Sequence, residues 1–350
     1  MKRLMLAAVA CFTLLVPTLA QDTTSEADLT AIKTYLLENV NSLQSETTRL
    51  QDATTTYYTL AESVGFDYAK LWADHRLEVG ITLLTAKDAW LKASPLYEQV
   101  EGVVAGVPSM AKFDVLLDAG ASGEEDPEGG VTFDLNLKDG RVLARPGNLF
   151  GILESTLWGT REDFSSSVLA DLNLNNEADF GEKLPDANVL LASAETMNAY
   201  ATDLVTTANA WEPTSEDAFT ALVTMVPTMS EYFAAWRDSR FIAGDDATLT
   251  DFVVISRLSD IKDILGGLIV VYDSVSPQVS AVDAAQDEQI KRGLSDLREY
   301  VLDLYAQELA GKRFTAEDAD LYGTEAQSRA QAITGQITQV AALLNITLPE

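Results

Sequence analysis

Long stretches of apolar residues at helical spacing constrain the fold of this chain more than any other feature. Residues 26–63 contain few helix-breaking residues, and their apolar side chains recur at Leu29, Ile32, Leu36, Val40, Leu43 and Leu50. Residues spaced in this way lie on one face of an α-helix, so the pattern predicts a long helix. Further helices are predicted at about 66–92, 187–210, 215–239, 250–272, 283–309 and 315–344, with another segment opening at Pro95. The predicted fold class is all-α.

The number of predicted helices and their short connections fit two packed four-helix bundles. Residues 161–186 are polar and irregular, so the predicted boundary falls there. The N-terminal bundle is then 21–185 and the C-terminal bundle 186–350. Helix starts are predicted at Ser215 with Asp217 and at Thr315 with Asp318. The segment SVSP at 274–277 is predicted to separate two later helices.

One segment has the alternation of a β-hairpin rather than a helix. In VTFDLNLKDGRVLA, apolar and polar residues alternate over Val131–Leu137 and again over Arg141–Ala144. Asp139 and Gly140 lie between the two runs, in a dipeptide that favours a tight hairpin turn. A small β-hairpin insertion is therefore predicted near 131–144.

The first residues have the pattern of a secretory signal peptide. A basic start at Lys2 and Arg3 is followed by a short apolar run and small residues, which predicts cleavage near Ala20. Residues 1–20 are thus predicted to be removed, and the protein to be periplasmic or secreted. No membrane span is expected, because the longest later apolar run, ILGGLIVVY, has only nine residues.

Cysteine and charge exclude several classes of protein. Cys11, the only cysteine, lies inside the apolar leader, so the mature chain is predicted to lack disulfides, zinc fingers, iron–sulfur clusters and a cysteine nucleophile. The formal net charge is −30, which disfavours nucleic acid and anionic lipid as partners. Such a charge attracts cations, although a solvated acidic coat is the simpler explanation of the bulk value.

Pairs of carboxylates are the candidate cation ligands. Glu98 and Glu101 are three residues apart in SPLYEQVEG, so both lie on one face of a helix. Asp114 and Asp118 follow in KFDVLLDAG, just before a flexible segment. Either set is also compatible with a solvated acidic surface. Oxygen ligands of this kind suit calcium, magnesium, manganese or ferric iron.

Glu154 raises a sharper question, because its helix, LFGILESTLWGT, is apolar on the same face. A buried carboxylate requires a cation, a hydrogen-bond donor or a proton. A salt bridge to Arg145 or Arg161 is one possibility, and a bound metal is the other.

The single histidine argues against common hydrolytic sites. His75 forms an H-x-x-E pair with Glu78, whereas a zinc peptidase of the H-E-x-x-H type needs two histidines on one helix. The chain also lacks a G-x-S-x-G nucleophile motif. His75 is expected to be a surface or helix-contact residue, and a role as an imidazole ligand reaching across the bundle is kept as a hypothesis.

The order of these motifs resembles the imelysin-like family. A Tyr-Glu-x-x-Glu segment precedes an Asp-containing turn and a helix reading Phe-x-x-x-Glu-x-x-Leu-Trp-Gly. In that family, which includes the EfeO and EfeM components of periplasmic iron uptake, this helix resembles Gly-Phe-His-x-Ile-Glu-x-x-Leu-Trp. Gly151 stands here where the histidine would be. The later helices of this chain also resemble those of the family. The chain is similar, in addition, to secreted iron-assimilation proteins of algae.

The resemblance implies two four-helix bundles and a metal site formed by Glu98, Glu101, Asp118 and Glu154, with Asp114 as the alternative to Asp118. The implied cation is iron, ferric or ferrous, and calcium or another hard cation is left open. The implied role is a non-catalytic component of iron uptake, with a membrane iron permease or other periplasmic components as partners. Because of Gly151, the site is either all-oxygen or decayed.

Two other functions remain open at this point. The family has been classed with peptidases, so a metallopeptidase-like enzyme is one alternative, and a binding module for an extracellular polymer is another. Glu231, Trp236 and Asp260 are candidates for a groove between the bundles, although helix contacts and caps are the favoured explanation of them.

Overall fold

The computed structural model describes residues 28–348, so the predicted signal peptide at 1–20 lies outside the described residues. Helices dominate this part of the chain, and the prediction of an all-α fold is confirmed. The helices are α1 (Thr30–Ser63), α2 (Tyr68–Gly106), α3 (Ala111–Asp114), α4 (Leu149–Leu157), α5 (Ala187–Ala210), α6 (Ser215–Met225), α7 (Met229–Asp238), α8 (Arg240–Ala243), α9 (Arg257–Val282), α10 (Ala284–Leu309) and α11 (Ala316–Leu343).

The long helices pack in two groups that share α2 and α9 as their junction. In the first group α1 packs against α2 and α5, and α5 also contacts α4. In the second group α9 packs against α10, and α11 packs against α7 and α10. The contact between α2 and α9 joins the groups. The division into two domains stays a prediction, but α5, assigned to the C-terminal bundle, packs with the helices of the N-terminal one.

Two prolines lie inside helices that the sequence predicts to be interrupted. α2 continues through Pro95, and α9 continues through Pro277 as far as Val282. A proline in a helix removes one backbone hydrogen bond. Buried side chains on both sides, such as Ala93 and Tyr97 around Pro95, hold the helix together despite that loss. Breaks predicted at these prolines are therefore wrong.

Side-chain caps begin the later helices close to the predicted positions. Thr315 and Asp318 form a reciprocal capping box at the start of α11, as predicted. The corresponding box at the start of α6 is formed by Thr214 and Asp217, one residue before the predicted Ser215. Each box satisfies backbone N–H groups that the first helical turn leaves without partners.

Two short antiparallel ribbons interrupt the helices. β1 (Leu135–Asn136) pairs with β2 (Val142–Leu143), which confirms the hairpin, and Gly140 in its turn has φ 90°. The second ribbon, β3 (Ser165–Leu169) with β4 (Lys183–Pro185), lies in a segment predicted to be irregular. The loop between β3 and β4 spans residues 170–182.

Among the described helices, α9 is the one whose length and composition would allow it to cross a membrane. The expectation that no later segment meets those criteria is therefore wrong. However, α9 packs against α2, α6 and α10, and its first turn carries the buried charged residues Arg257 and Asp260. These contacts are those of a core helix.

Candidate metal centre

Three of the predicted ligands meet in the interior. Glu98 and Glu101 lie one turn apart on α2, and their exposed fractions are 2% and 3%. Asp118 is 8% exposed. One carboxylate oxygen from each of the three lies within 4.8 Å of the others. Such a spacing places three oxygen ligands around a common point.

A π-helical turn, Val115–Ala119, carries Asp118 to this position. Single π turns insert an extra residue into a helical path and often occur at functional sites. Asp114, at the end of α3, instead accepts a hydrogen bond of 2.8 Å from the Tyr97 hydroxyl. The geometry thus groups Asp118, rather than Asp114, with the two glutamates.

The two glutamates have incompletely satisfied oxygens. Glu98 Oε2 and Glu101 Oε2 have no hydrogen-bond partner among residues 28–348. Glu101 Oε1 accepts a hydrogen bond of 2.5 Å from the Tyr232 hydroxyl. Burial and then the Asp118 carboxylate raise the pKa of Glu101 to about 8, and burial raises the pKa of Glu98 well above its ordinary value. Both side chains therefore favour a proton or a bound cation.

Arg257, at the start of α9, is the cation that forms ion pairs with this cluster in the described part of the chain. Its Nη1 lies 2.8 Å from Asp260 Oδ2 and 3.9 Å from Glu98 Oε1. One guanidinium balances only one carboxylate, whereas Glu98, Glu101, Asp118 and Asp260 are all buried. The remaining negative charge must be balanced by protons or by a metal ion.

Glu154 lies on α4 and is 2% exposed, but backbone amides occupy its carboxylate. It accepts hydrogen bonds from the N–H groups of Phe252 at 2.7 Å, Val253 at 2.9 Å and Val254 at 3.1 Å. Burial and the Asp251 carboxylate raise the pKa of Glu154 to about 8, while these three donors act in the opposite direction. Glu154 thus anchors the segment before α9 and does not join the group of three carboxylates.

Neither arginine suggested as a partner of Glu154 pairs with it. Arg145 donates to backbone carbonyls, including that of Val131 at 2.6 Å. Arg161 pairs with Asp163 at 2.9 Å. Both guanidinium groups are therefore committed to local contacts.

Asp251 occupies the space beside Gly151. A Cβ atom on Gly151 would lie 2.9 Å from Asp251 Oδ2. Asp251, Glu98, Asp118 and Glu154 all line a small cavity of about 10 Å³, close to the minimum that holds one water molecule. A carboxylate from a distant loop thus borders the space where the resemblance implies a histidine.

Sequence reasoning missed Asp251 and Arg257. Asp251 belongs to no local motif and is 97 residues from Glu154, so nothing in the sequence joins them. The i,i+3 spacing of Arg257 and Asp260 was the available signal for their ion pair.

His75 cannot supply an imidazole to this centre. Its Nδ1 lies 2.8 Å from Glu78 Oε2, and both residues are near the start of α2. Glu98 is 23 residues further along the same helix, a rise of roughly 35 Å. The hypothesis of a histidine ligand reaching across the bundle is therefore wrong.

A larger cavity of about 1140 Å³ connects the centre with the surface. Glu101, Asp118 and Arg257 lie on its wall, as does Glu231, one of the predicted groove residues. Trp236 is instead buried and donates from Nε1 to Glu308 at 2.7 Å. Asp260 pairs with Arg257 as described above. The cavity gives small solutes a route to two of the three clustered carboxylates.

Comparison with known protein families identifies the family of this chain. The model of the imelysin family, which is also named Peptidase M75, matches residues 31–346. A search of curated proteins found no match. The match covers nearly all of the described residues and confirms the resemblance predicted from the Glu-x-x-Glu and Glu-x-x-Leu-Trp helices. The chain therefore belongs to the imelysin family.

Proposed function

We propose that this chain is an exported, non-catalytic metal-binding component of an iron-uptake system, and that Glu98, Glu101 and Asp118 hold the cation. The observation that carries the proposal is the buried cluster itself. Two of its oxygens have no hydrogen-bond partner within residues 28–348, and Arg257 balances only part of its charge. A metal ion would satisfy both deficits at once.

Family membership supports a relation to periplasmic iron uptake at the level of the family. The donor set supports a hard cation, because carboxylate oxygens are its only clustered ligands. Iron, ferric or ferrous, is the proposed cargo because of the family's relation to iron uptake, and Asp251 is the proposed source of a further oxygen.

The proposal includes a route and a destination for the ion. The large cavity reaches Glu101 and Asp118 and is also lined by Glu124, Glu125 and Glu231. Acidic walls concentrate cations near the centre. The proposed recipient is a membrane iron permease or another periplasmic component of the pathway.

The non-catalytic part of the proposal rests on the absence of an imidazole near the centre in the described chain, since His75 lies far along α2. A metallopeptidase would need a metal with an open position and a base near the bound water. Cleavage of peptides by the wild type, lost on substitution of Glu98 and Glu101, would replace this part of the proposal with an enzymatic one.

The test compares metal binding in two double variants of the mature chain. Glu98→Gln/Glu101→Gln removes both buried charges, and Asp296→Asn/Glu299→Gln removes two exposed charges with the same i,i+3 spacing on α10. Isothermal titration and metal analysis would use ferric, ferrous, calcium and zinc ions. We expect tight, stoichiometric iron binding in the wild type and the control, and its loss in the first variant. Equal, weak binding in all three proteins would contradict the proposal.

A further inference from the structure

The loop between β3 and β4 has the residue spacing of a calcium-binding loop. Residues 171–182 read DLNLNNEADFGE. Numbered from Asp171, the oxygen-bearing side chains at positions 1, 3, 5, 9 and 12 are Asp171, Asn173, Asn175, Asp179 and Glu182. The EF-hand loop places calcium ligands at these same positions, with a backbone carbonyl at position 7. Here strands rather than helices flank the loop.

Position 6 is the one departure from the motif, and the backbone compensates for it. The motif has glycine there, because the chain turns sharply. Asn176 occupies the position with φ 74°, in the left-handed region that asparagine tolerates better than other side chains. The N–H groups of Asn175 and Asn176 donate to the two oxygens of Asp171 at 2.9 and 3.0 Å. The chain therefore already winds around the first ligand.

Glu182 gives an independent indication of a cation. Its exposed fraction is 6%, and its carboxylate faces into the loop, where it accepts N–H groups of Asn173 at 3.1 Å and Asp179 at 2.9 Å. The charge of Lys87 acts on Glu182, but its Nζ donates at 2.5 Å to the carbonyl of Gly181 and forms no ion pair with the carboxylate among the described residues. A buried carboxylate whose counter-ion is not in contact with it is costly, and a cation in the loop lowers that cost.

We propose that residues 171–182 bind one calcium ion. The ligands are the side-chain oxygens at positions 1, 3, 5, 9 and 12 and the backbone carbonyl of Glu177. Two of the five side chains are amides and three are carboxylates, so the total negative charge of the ligands is low. Low charge weakens calcium affinity, and extracellular modules bind with Kd of about 10⁻⁴–10⁻³ M. Such an affinity suits an exported protein. This site is independent of the function proposed for the central cluster.

The loop is positioned to brace the fold when it binds the ion. Asp171 also pairs with Arg76 of α2 at 2.7 Å. At the other end, Gly181 packs so closely on Trp158, which follows α4, that a Cβ atom there would lie 2.4 Å from its ring. Calcium would therefore link the ribbon to α2 and to the end of α4, and would raise the temperature of unfolding, because it binds only the folded loop.

The test is a calcium titration of chelator-treated mature protein at fixed ionic strength, in the Glu98→Gln/Glu101→Gln background that silences the central cluster. We expect one saturable calcium site that magnesium fills more weakly. Glu182→Gln should weaken binding at least about tenfold, since position 12 supplies a bidentate ligand. Glu177→Gln is the matched control: the side chain is exposed and position 7 uses only its carbonyl, so affinity should not change.

Two further variants keep the test decisive if Glu182→Gln fails to fold. Asp179→Asn changes an exposed ligand and should also weaken binding. Asn176→Gly supplies the residue that position 6 favours and should preserve or increase affinity. No saturable site in the background protein, or equal weakening in Glu177→Gln and Asp179→Asn, would overturn the proposal and show that calcium only screens an acidic surface.

Discussion

The central cluster and the loop at 171–182 both consist of oxygen ligands, but the chain builds them in opposite ways. The central cluster joins α2 to the π turn that directly follows α3, and all three of its carboxylates are buried. The loop draws its ligands from twelve consecutive residues, most of them exposed. The first site therefore depends on packing between helices, and the second depends mainly on its own backbone.

Burial also changes how each site balances its charge. Water surrounds most of the loop, so only Glu182 needs a partner from the protein or a bound ion. The central carboxylates have little access to water and share one guanidinium, that of Arg257. A buried site must therefore carry protons when it holds no cation, whereas an exposed loop need not.

The largest expected effect separates the two sites completely. Glu98→Gln/Glu101→Gln should lower metal affinity of the central cluster by more than about 100-fold, since even loss of an outer-shell contact costs 10–100-fold. Calcium binding by the loop should not change. Without metal, the variant should lose part of the fall in stability between pH 5 and 8, because neutral amides replace carboxyl groups whose pKa values burial raises. Loss of loop calcium in this variant would break the comparison; titration and thermal unfolding measure both quantities.

The next effect tests the dependence of the central site on packing. Glu154→Ala leaves three backbone N–H groups without their acceptor, which we expect to lower the free energy of unfolding by about 3 kcal/mol. It should also weaken central metal binding, because Asp251 is no longer held beside the cavity, and leave loop calcium unchanged. Denaturant unfolding gives the stability. Glu162→Ala, at an exposed position a short distance further along the chain, is the control and should have little effect.

The pH dependence of the central cluster follows from its raised pKa values. Burial and Asp118 raise the pKa of Glu101 from 4.5 to about 8 and that of Asp114 from 3.8 to about 7. In this range the folded chain binds more protons than the unfolded one, so stability is highest in acid and falls as pH rises towards 8. Metal binding releases these protons, so affinity should rise over the same interval. Unfolding and titration between pH 5 and 8 measure both trends; stability that rises with pH would contradict them.

The smallest expected effect sharpens the role of Asp251. Gly151→Ala places a Cβ atom 2.9 Å from Asp251 Oδ2, so the carboxylate must shift. We expect a severalfold loss of central metal affinity together with a gain of up to about 1 kcal/mol in stability, because alanine favours a helix over glycine. Titration and denaturant unfolding separate the two effects. Unchanged affinity would remove Asp251 from the proposed ligand set.

Local patterns predicted the features that local interactions determine. The apolar spacing located α5 at its observed bounds, and alternation with Asp139-Gly140 located the first hairpin. The spacing of Glu98 and Glu101 placed them on one helix face for the same reason. The oxygen-bearing residues of the 171–182 loop also lie within one short segment. Their regular spacing was the available signal, and the prediction of an irregular segment overlooked it.

Such local patterns could not predict contacts between segments that are distant in the sequence. Pro95 and Pro277 do not end their helices, because tertiary packing outweighs the lost hydrogen bond. The burial of Glu154 was predictable from its apolar neighbours, but its partners were not, since backbone N–H groups are common to nearly every residue. The sequence likewise could not show that α5 packs on α1, because that contact joins helices that are far apart along the chain.

The contact made by Glu154 has a consequence for how this protein can change over generations. Its carboxylate recognises the main chain at 252–254, not the side chains of Phe252, Val253 or Val254. Almost any residue can supply an N–H group there, and proline alone cannot. As far as this contact is concerned, the segment can drift in sequence while the glutamate stays fixed. Descendants of this chain could thus acquire new residues beside the proposed metal centre without losing the hydrogen bonds that hold this segment in place.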